Sequence, residues 1–409
     1  MGRSRDPDRH QPVATLGPVI DWQGSHVTRP FLAGVVSFTV RCDSRETRDV
    51  MEALFADLVE PPPDARHREF DLRDVDHDGV RLLQLSGFGD FESVVALPPD
   101  AALDILVSRV NRLSLDEDPD RLHLHAAAVA AGEHGVLVSA PGGTGKTTLV
   151  TALVQRGWDY LTDEAVALGA GEPSITGFAK PLTIKQTGQD LFAELEGRRV
   201  AFGPSTDTSW HVPASRIGGR PIVRAVPTLI VFLERDADGS APNEPNWAPV
   251  HPADAVVALM QESMDVTRFG ERALIVVAEL ASRGASVQIY VGAPRETAQL
   301  VEQIVEQILA DRSRLSCPLP KLVSRGDRSE YATELRVSDR IISVVLDGRV
   351  VTHDVRTGKL VSFDESGSAV WLALHGCASE ECPPPDTPGV RTFLQELERE
   401  GLVTGCTGA

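Results

Sequence analysis

The chain lacks a disulfide framework and any apolar run long enough to cross a membrane. Five scattered cysteines, an odd number, indicate reduced thiols rather than paired ones. The longest apolar run, Val226 to Leu233, contains Pro227 and suits a buried strand. Met1 to Gln11 is charged and has no apolar core of the kind a signal peptide needs. These features predict a cytoplasmic protein.

Basic residues are too few to balance the acidic ones. Forty Lys and Arg against 59 Asp and Glu give a formal net charge of −19, which opposes sequence-independent nucleic-acid binding and attraction to an anionic membrane. We therefore expect neither nucleic acid nor a membrane as a partner. With 409 residues, the chain is long enough for two or three domains with ample core.

One stretch has the order of residues that phosphate binding requires. Gly135 to Thr148 reads as an apolar strand, a glycine-rich turn, Lys146-Thr147 and the start of a helix. Glycines let backbone N–H groups surround phosphate oxygens, the lysine supplies a charge, and the threonine hydroxyl suits Mg²⁺. The predicted nucleotide-binding residues of this P-loop (Walker A) are Pro141, Gly142, Gly143, Thr144, Gly145, Lys146, Thr147 and Thr148.

The loop departs from the pattern G-x-x-x-x-G-K-[ST] at one position. Ala140 stands where the first glycine is expected. An alanine is tolerated there if its φ is negative, because only a positive φ penalises a Cβ.

Two acidic residues follow the loop at the distance that a nucleotide site needs. Asp163-Glu164 come directly after the predicted strand Asp159 to Thr162. Carboxylates at such a strand end hold Mg²⁺ or act as a base, although an Asp-Glu pair is more often a solvated turn. We predict Thr147, Asp163 and Glu164 as metal ligands.

A histidine precedes the loop on the neighbouring strand. Leu122 to Val129 is predicted as one strand that pairs with Val136 to Ser139, so that His125 lies beside the P-loop and shares a strand face with His123. On residue type alone, His125 is more often an ordinary hydrogen-bonded histidine. Lys180 and Lys185 also offer charges for a phosphate, although surface lysine is the commoner explanation.

Composition and periodicity divide the chain into five segments. Gly203 to Arg224, rich in Gly, Pro, Ser and Arg, is predicted to be a mobile loop. The predicted segments are a disordered tail (1–15), an α+β module (16–115), the P-loop domain (116–312), a linker (313–332) and a C-terminal module (333–409).

Residues 121 to 168 resemble the catalytic core of HPr kinase/phosphorylase and the wider group of HPr-kinase-like phosphotransferases. In that family a histidine precedes the loop G-x-S-G-x-G-K-S by a fixed interval, which His125 matches here. Paired aspartates follow an R-G-H-x-L-V-A segment in the family, and Arg156 to Thr162 lead to Asp163-Glu164 in this chain. The resemblance implies an α/β (α+β) fold with a P-loop kinase core of the HPr-kinase/PEP-carboxykinase-like type.

Residues 336 to 404 resemble the PqqD family. Leu346-Asp347-Gly348, Leu360 to Gly367 and Ala369-Val370-Trp371 match its motif positions, with Phe363-Asp364 replacing Leu-Asn. The resemblance implies a winged-helix module that binds a leader peptide by adding a strand to a sheet edge. Some HPr-kinase-like proteins act in peptide natural-product (RiPP) pathways.

Together the resemblances imply ATP- and Mg²⁺-dependent phosphoryl transfer to a hydroxyl of a peptide, protein or small molecule. Asp163 would be the base, His125 would orient it, Lys146 would hold the phosphates, and a homo-oligomer would be consistent with the family. Two alternatives stay open: a nucleotide-regulated peptide-binding scaffold and an ATPase switch.

Overall fold

The computed structural model describes residues 14–15, 26–87, 95–203, 209–235, 244–311, 318–323, 335–376 and 384–405. Most of the predicted tail (1–15) and linker (313–332) lies outside these ranges. The chain divides into two compact units: Met1–Pro119 with Phe178–Pro221, and Asp120–Gly177 with Ile222–Ala409.

Helices and strands alternate along the chain, and the architecture is mixed α/β. The strands are β1 (Ala14–Thr15), β2 (His26–Val27), β3 (Phe31–Ala33), β4 (Val36–Cys42), β5 (Arg66–His77), β6 (Val80–Ser86), β7 (Val95–Leu97), β8 (Leu122–Leu124), β9 (Ala126–Ala131), β10 (His134–Ser139), β11 (Asp159–Thr162), β12 (Val166–Leu168), β13 (Ile175–Thr176), β14 (Leu182–Ile184), β15 (Trp210–Val212), β16 (Arg224–Glu234), β17 (Asn246–Pro249), β18 (Ala285–Tyr290), β19 (Lys321–Leu322), β20 (Arg336–Val337), β21 (Ile341–Leu346), β22 (Arg349–Asp354), β23 (Leu360–Ser362) and β24 (Val403–Thr404). The α-helices are α1 (Arg45–Leu54), α2 (Pro99–Asp116), α3 (Lys146–Gln155), α4 (Gln186–Gln189), α5 (Pro252–Gln261), α6 (Val266–Phe269), α7 (Glu271–Arg283), α8 (Pro294–Ala310), α9 (Glu365–Leu374) and α10 (Pro388–Arg399).

The first unit is built on a sheet of seven strands within the described ranges. The order is β1-β7-β6-β5-β4-β2, with β3 also paired to β4. The alternation that predicted a strand at Val36, Phe38 and Val40 is confirmed, and all three side chains are buried. Ser44 caps α1 by accepting from the Thr47 N–H, and the helix ends at Leu54.

The prediction of a mobile loop over Gly203 to Arg224 is wrong for its described part. Trp210–Val212 forms β15, which pairs antiparallel with β14, and Ala214–Ile217 forms a 3₁₀ turn. Composition misled here because alternating apolar residues over only three positions give too short a signal among Gly and Pro.

The second unit is built on a sheet of nine strands among the described residues. The order is β11-β9-β10-β16-β13-β12-β8, with β18 paired to β16 and β17 to β18. Strands β10, β16 and β18 are parallel, while β9 and β10 form the predicted antiparallel hairpin. Because parallel strands end at one edge of a sheet, the loops after β10 and β16 lie together.

The prediction of one continuous strand from Leu122 to Val129 is wrong. The strand is interrupted at His125, so that β8 pairs with β12 and β9 pairs with β10 and β11. The hydrophobic pattern runs through the break without a change. The interruption is caused by contacts with residues distant in sequence, and such contacts do not alter the local hydrophobic pattern.

The C-terminal part of the second unit contains the strands β20 to β23, the helices α9 and α10 and the short strand β24. Asp347 and Gly348 have φ of 46° and 82°, which is the positive-φ pair that a tight β21–β22 hairpin requires. Trp371 is fully buried and donates from Nε1 to Ser343 Oγ at 3.0 Å. Within the described part of the chain, no helix combines the length and apolar character needed to span a bilayer.

Asp364 is the N-cap of α9, and its removal should destabilise the C-terminal part of the chain. Its carboxylate accepts from the Gly367 N–H at 2.7 Å, and that hydrogen bond holds the pKa of Asp364 below its ordinary value. We expect Asp364→Ala to lower the free energy of unfolding by about 1 kcal/mol at neutral pH, measured by urea denaturation.

Asp364→Asn is the matched control, because an asparagine caps a helix without a charge. A carboxylate whose folded pKa is lowered adds stability above its unfolded pKa and loses it as the pH falls through the folded pKa. The advantage of the natural protein over Asp364→Asn should therefore shrink below about pH 4. Equal destabilisation by Asn and Ala would contradict the capping role.

Candidate active site

The glycine-rich loop joins the carboxyl end of β10 to the first residue of α3. Gly143 and Gly145 have φ of 84° and 124°, backbone angles that favour glycine. A Cβ added at Gly142 or Gly143 would meet none of the described atoms within 4 Å. The outer face of the loop is therefore open to a ligand.

The side chain of Lys146 folds back over this loop. Its Nζ donates to the carbonyl oxygen of Ala140 at 2.5 Å, and the side chain is buried. Ala140 is absent from the residues with positive φ, so the condition for tolerating an alanine there is met. The Lys146 side chain thus links the end of the loop to its beginning, and its positive charge lies at the loop.

The amino-terminal end of α3 is left without a competing side chain. Gly145 is the N-cap, and within the described chain no side chain caps the helix and its first turn carries no acidic residue. The first N–H groups of a helix have no partners inside it, and the helix dipole favours an anion there. The backbone of Thr147 and Thr148 therefore suits phosphate oxygens.

The two predicted carboxylates lie directly after β11 in different surroundings. Asp163 is buried, and its Oδ1 accepts from the Tyr160 hydroxyl at 2.9 Å. Glu164 is half-buried, and its N–H donates to Thr162 Oγ1 at 3.3 Å. The hydrogen bond from Tyr160 therefore holds the buried carboxylate of Asp163 in place.

His125 lies at the interruption between β8 and β9. Its backbone N–H donates to the Glu262 carbonyl at 2.8 Å. Its Nδ1 lies 3.3 Å from Glu262 Oε2, and about a third of the side chain is exposed. The imidazole is thus anchored on one side and accessible on the other.

Strand register brings the loop, the histidine and the carboxylates to one place. Ser139, the last residue of β10, pairs with Ala126, so the loop begins beside His125. Thr162 pairs with Ala128 and Val166 pairs with Leu124. The register is the same on both sides of the break, which sets Asp163 to Ala165 opposite His125 to Ala127.

Arg235 was not anticipated from the sequence. It follows β16, and its Nε donates to the Thr144 carbonyl at 3.0 Å. The predicted buried strand at Thr228 to Leu233, taken as a neighbour of β10, was the signal that could have found it. The residue after a parallel strand lies at the same edge as the loop after its neighbour. Arg235 adds a second cation beside the loop.

These residues fit ATP with Mg²⁺ by the chemistry of their donors. Nucleotide-bound Mg²⁺ takes phosphate oxygens, waters and one or two protein oxygens, and Thr147, Asp163 and Glu164 supply hydroxyl and carboxylate oxygens. The described residues contain no group of three or more His, Cys, Asp or Glu side chains that could hold a metal alone.

The expectation that Lys180 is a surface residue is wrong. Lys180 is buried in the first unit, where its Nζ donates to Thr183 Oγ1 at 3.2 Å. Lys185, in contrast, is exposed.

Comparisons with known proteins find partial similarities to solved structures. No family model matches the chain, and no curated protein matches it. The Hpr(Ser) kinase/phosphatase from Coxiella burnetii is similar over 47% of this chain and 98% of its own, with 12% identity and a TM-score of 0.26. TbiB1, solved in complex with the TbiA(beta) leader peptide, is similar over 18% of this chain and 99% of its own, with 26% identity and a TM-score of 0.16.

The substitution Tyr160→Phe should lower the free energy of unfolding more than the removal of a tyrosine hydroxyl that is hydrogen-bonded to a neutral group. The substitution removes the 2.9 Å hydrogen bond to the buried carboxylate of Asp163. Hydrogen bonds to charged groups are the stronger ones, so we expect a loss of roughly 1–3 kcal/mol in unfolding free energy, measured by urea denaturation.

Tyr290→Phe is the matched control. Its hydroxyl accepts from Gln288 Nε2 at 3.3 Å on a half-buried strand, and its loss should cost less than about 1 kcal/mol. Equal losses of unfolding free energy in the two variants would show that the Tyr160–Asp163 hydrogen bond stabilises the protein no more than a bond to a neutral group.

Proposed function

We propose that the protein is an ATP-dependent phosphotransferase that moves the terminal phosphoryl group to a hydroxyl. The observation that carries the proposal is the register that sets the P-loop, His125 and Asp163 side by side. A loop alone would support nucleotide binding only. A buried, hydrogen-bonded carboxylate beside it supplies what proton removal needs.

The proposed step is an in-line displacement. Asp163 accepts the proton of the acceptor hydroxyl, and the acceptor oxygen forms a bond to the γ-phosphorus. The bond from that phosphorus to the bridging oxygen breaks, and ADP leaves with the electron pair. Lys146, the α3 amino terminus and Arg235 stabilise the negative charge on the phosphates. Mg²⁺, held by Thr147 and Glu164, would neutralise further charge there.

The proposed acceptor is a Ser or Thr of a peptide or protein, or a hydroxyl-bearing small molecule. A peptide is favoured by the edge strand of the C-terminal sheet. Among the described strands, β23 pairs with β22 alone. On the side of β22, the Phe363 N–H donates to the Val350 carbonyl, and the Lys359 carbonyl accepts from the Asp354 N–H. Because such hydrogen bonds alternate along an antiparallel pair, the N–H groups of Leu360 and Ser362 face the open edge. An extended leader peptide could add there as a strand.

Lys146→Ala and Asp163→Asn test the chemistry. The full chain is incubated with γ-labelled ATP and candidate peptides encoded beside the gene, and phosphate is located by mass spectrometry. We expect Lys146→Ala to lower transfer by roughly 10²–10³-fold, because a charge on the transferring group is lost. Asp163→Asn should lower it by roughly 10²–10⁴-fold, because the base is lost.

Lys185→Ala is the control, an equal truncation at an exposed lysine of the first unit, and it should transfer phosphate normally. Transfer that survives Lys146→Ala would favour the peptide-binding scaffold. Fast ATP hydrolysis that is indifferent to every acceptor would favour the ATPase switch.

Leu360→Pro tests the peptide edge. Proline removes the outward N–H of Leu360 and leaves the bonds between β23 and β22 in place. We expect it to weaken binding of a fluorescently labelled leader segment from a candidate precursor, measured by anisotropy. Leu360→Val retains the N–H and should bind normally. Equal affinity of all three proteins would place any peptide elsewhere.

A further inference from the structure

Glu262 contacts the proposed site histidine through both its backbone and its side chain. The segment that it begins, Glu262 to Asp265, runs beside β8 and adds to that edge of the sheet. Leu124 and Ser263 form an antiparallel bridge, the His125 N–H donates to the Glu262 carbonyl at 2.8 Å, and the Met264 N–H donates to the His123 carbonyl at 2.9 Å. The backbone positions of Glu262 and His125 are therefore fixed relative to each other.

The side-chain contact places one carboxylate oxygen beside one of the two ring nitrogens of His125. Glu262 Oε2 lies 3.3 Å from Nδ1, and the carboxylate is mostly buried. A carboxylate has only acceptor atoms, so a hydrogen bond across this contact requires that Nδ1 donate. The neutral ring then carries its lone pair on Nε2, for which the described residues provide no hydrogen-bond partner. A carboxylate on one imidazole nitrogen commonly orients the ring for work at the other.

We propose that Glu262 is a positioning residue that holds His125 in the Nδ1-protonated form and makes Nε2 the nitrogen that serves the transfer site. The inference rests on the proposed phosphotransferase function. In that reaction Nε2 accepts a hydrogen bond from the acceptor hydroxyl or receives the proton that Asp163 removes. Glu262 touches neither nucleotide nor acceptor and acts only through the imidazole.

The neighbouring residues provide a matched comparison. His123, two positions earlier, has the same kind of partner, since its Nδ1 lies 3.1 Å from Asp265 Oδ2. His123 is buried within β8, whereas His125 is accessible at the interruption. Asp265 also pairs with Arg268 at 2.7 Å. The two acid–histidine pairs thus join the same two stretches of chain, and only the His125 pair lies beside the loop.

The kinetic test uses the full chain and the acceptor identified by the transfer assay. We expect Glu262→Ala to lower kcat by about 10- to 100-fold while KM for ATP stays unchanged. Glu262→Gln should recover part of the rate, because its amide oxygen can accept from Nδ1. In a His125→Ala background, Glu262→Ala should have no further effect on kcat, because the residue through which it acts is gone. A second loss of equal size there would overturn the proposal.

Asp265→Asn is the control for damage to the segment. It should lower thermal stability while the folded protein keeps the natural kcat. If Asp265→Asn lowers kcat as much as Glu262→Ala does, the effect belongs to the segment and the proposal fails.

A spectroscopic readout separates this inference from the proposed function. The ¹⁵N shifts of histidine-labelled full-length protein report the tautomer of His125, assigned by its loss in His125→Asn. We expect Nδ1–H in the natural protein and a shift toward Nε2–H in Glu262→Ala. An unchanged tautomer overturns the role of Glu262 whether or not transfer occurs. A changed tautomer in a protein that phosphorylates no acceptor would instead refute the phosphotransferase proposal alone.

Discussion

The pairing of β10 on both of its edges is the constraint on which the site depends. β9 holds one edge in antiparallel register and β16 holds the other in parallel register. A Cβ at Gly135 would lie 2.8 Å from the Val226 carbonyl oxygen, so only glycine lets β16 approach at the register shift there. Any slip would move the loop relative to His125 on one side and Arg235 on the other.

The interruption at His125 places irregular backbone in the middle of the sheet, at the candidate site. In a paired strand, the backbone N–H and C=O groups form hydrogen bonds to the neighbouring strands, and the side chains alternate between the two faces of the sheet. Where β8 and β9 separate, the His125 N–H instead bonds to Glu262, and the segment Asp163 to Ala165 opposite is also outside regular strand. Two irregular segments in matching register thus place a histidine and two carboxylates beside the loop without any long connection.

Local patterns predicted the parts of the fold that depend on local physics. The strand–loop–helix at Gly135 to Thr148 and the strand at Asp159 to Thr162 each follow from neighbouring residues, and each is present. The interruption at His125 and the burial of Lys180 did not follow, because both are set by partners distant in sequence.

The residues of the candidate site also divide into those that the sequence could predict and those that it could not. Lys146, Thr147, Asp163 and Glu164 could be named from spacing along the chain. Arg235 and Glu262 could not, because each reaches the site from an element far away in sequence: Arg235 bonds to Thr144, and Glu262 bonds to His125. A motif specifies the residues that chemistry requires at short range. The residues that orient them are found only when strand order is known.

Helix α5 shows how the C-terminal sheet contributes to the same architecture. Near its amino end, Asp254 accepts from both guanidinium nitrogens of Arg349, at 2.8 and 2.7 Å, and from Ser362 at 3.2 Å. At its carboxyl end, Glu262 is the C-cap, and its Oε2 lies 3.3 Å from His125 Nδ1. Residues of α5, α7, β21 and β22 share one apolar cluster, so the C-terminal sheet supports the helix along its length. The edge strand proposed to receive a peptide and the histidine proposed to serve transfer therefore rest on opposite ends of one helix.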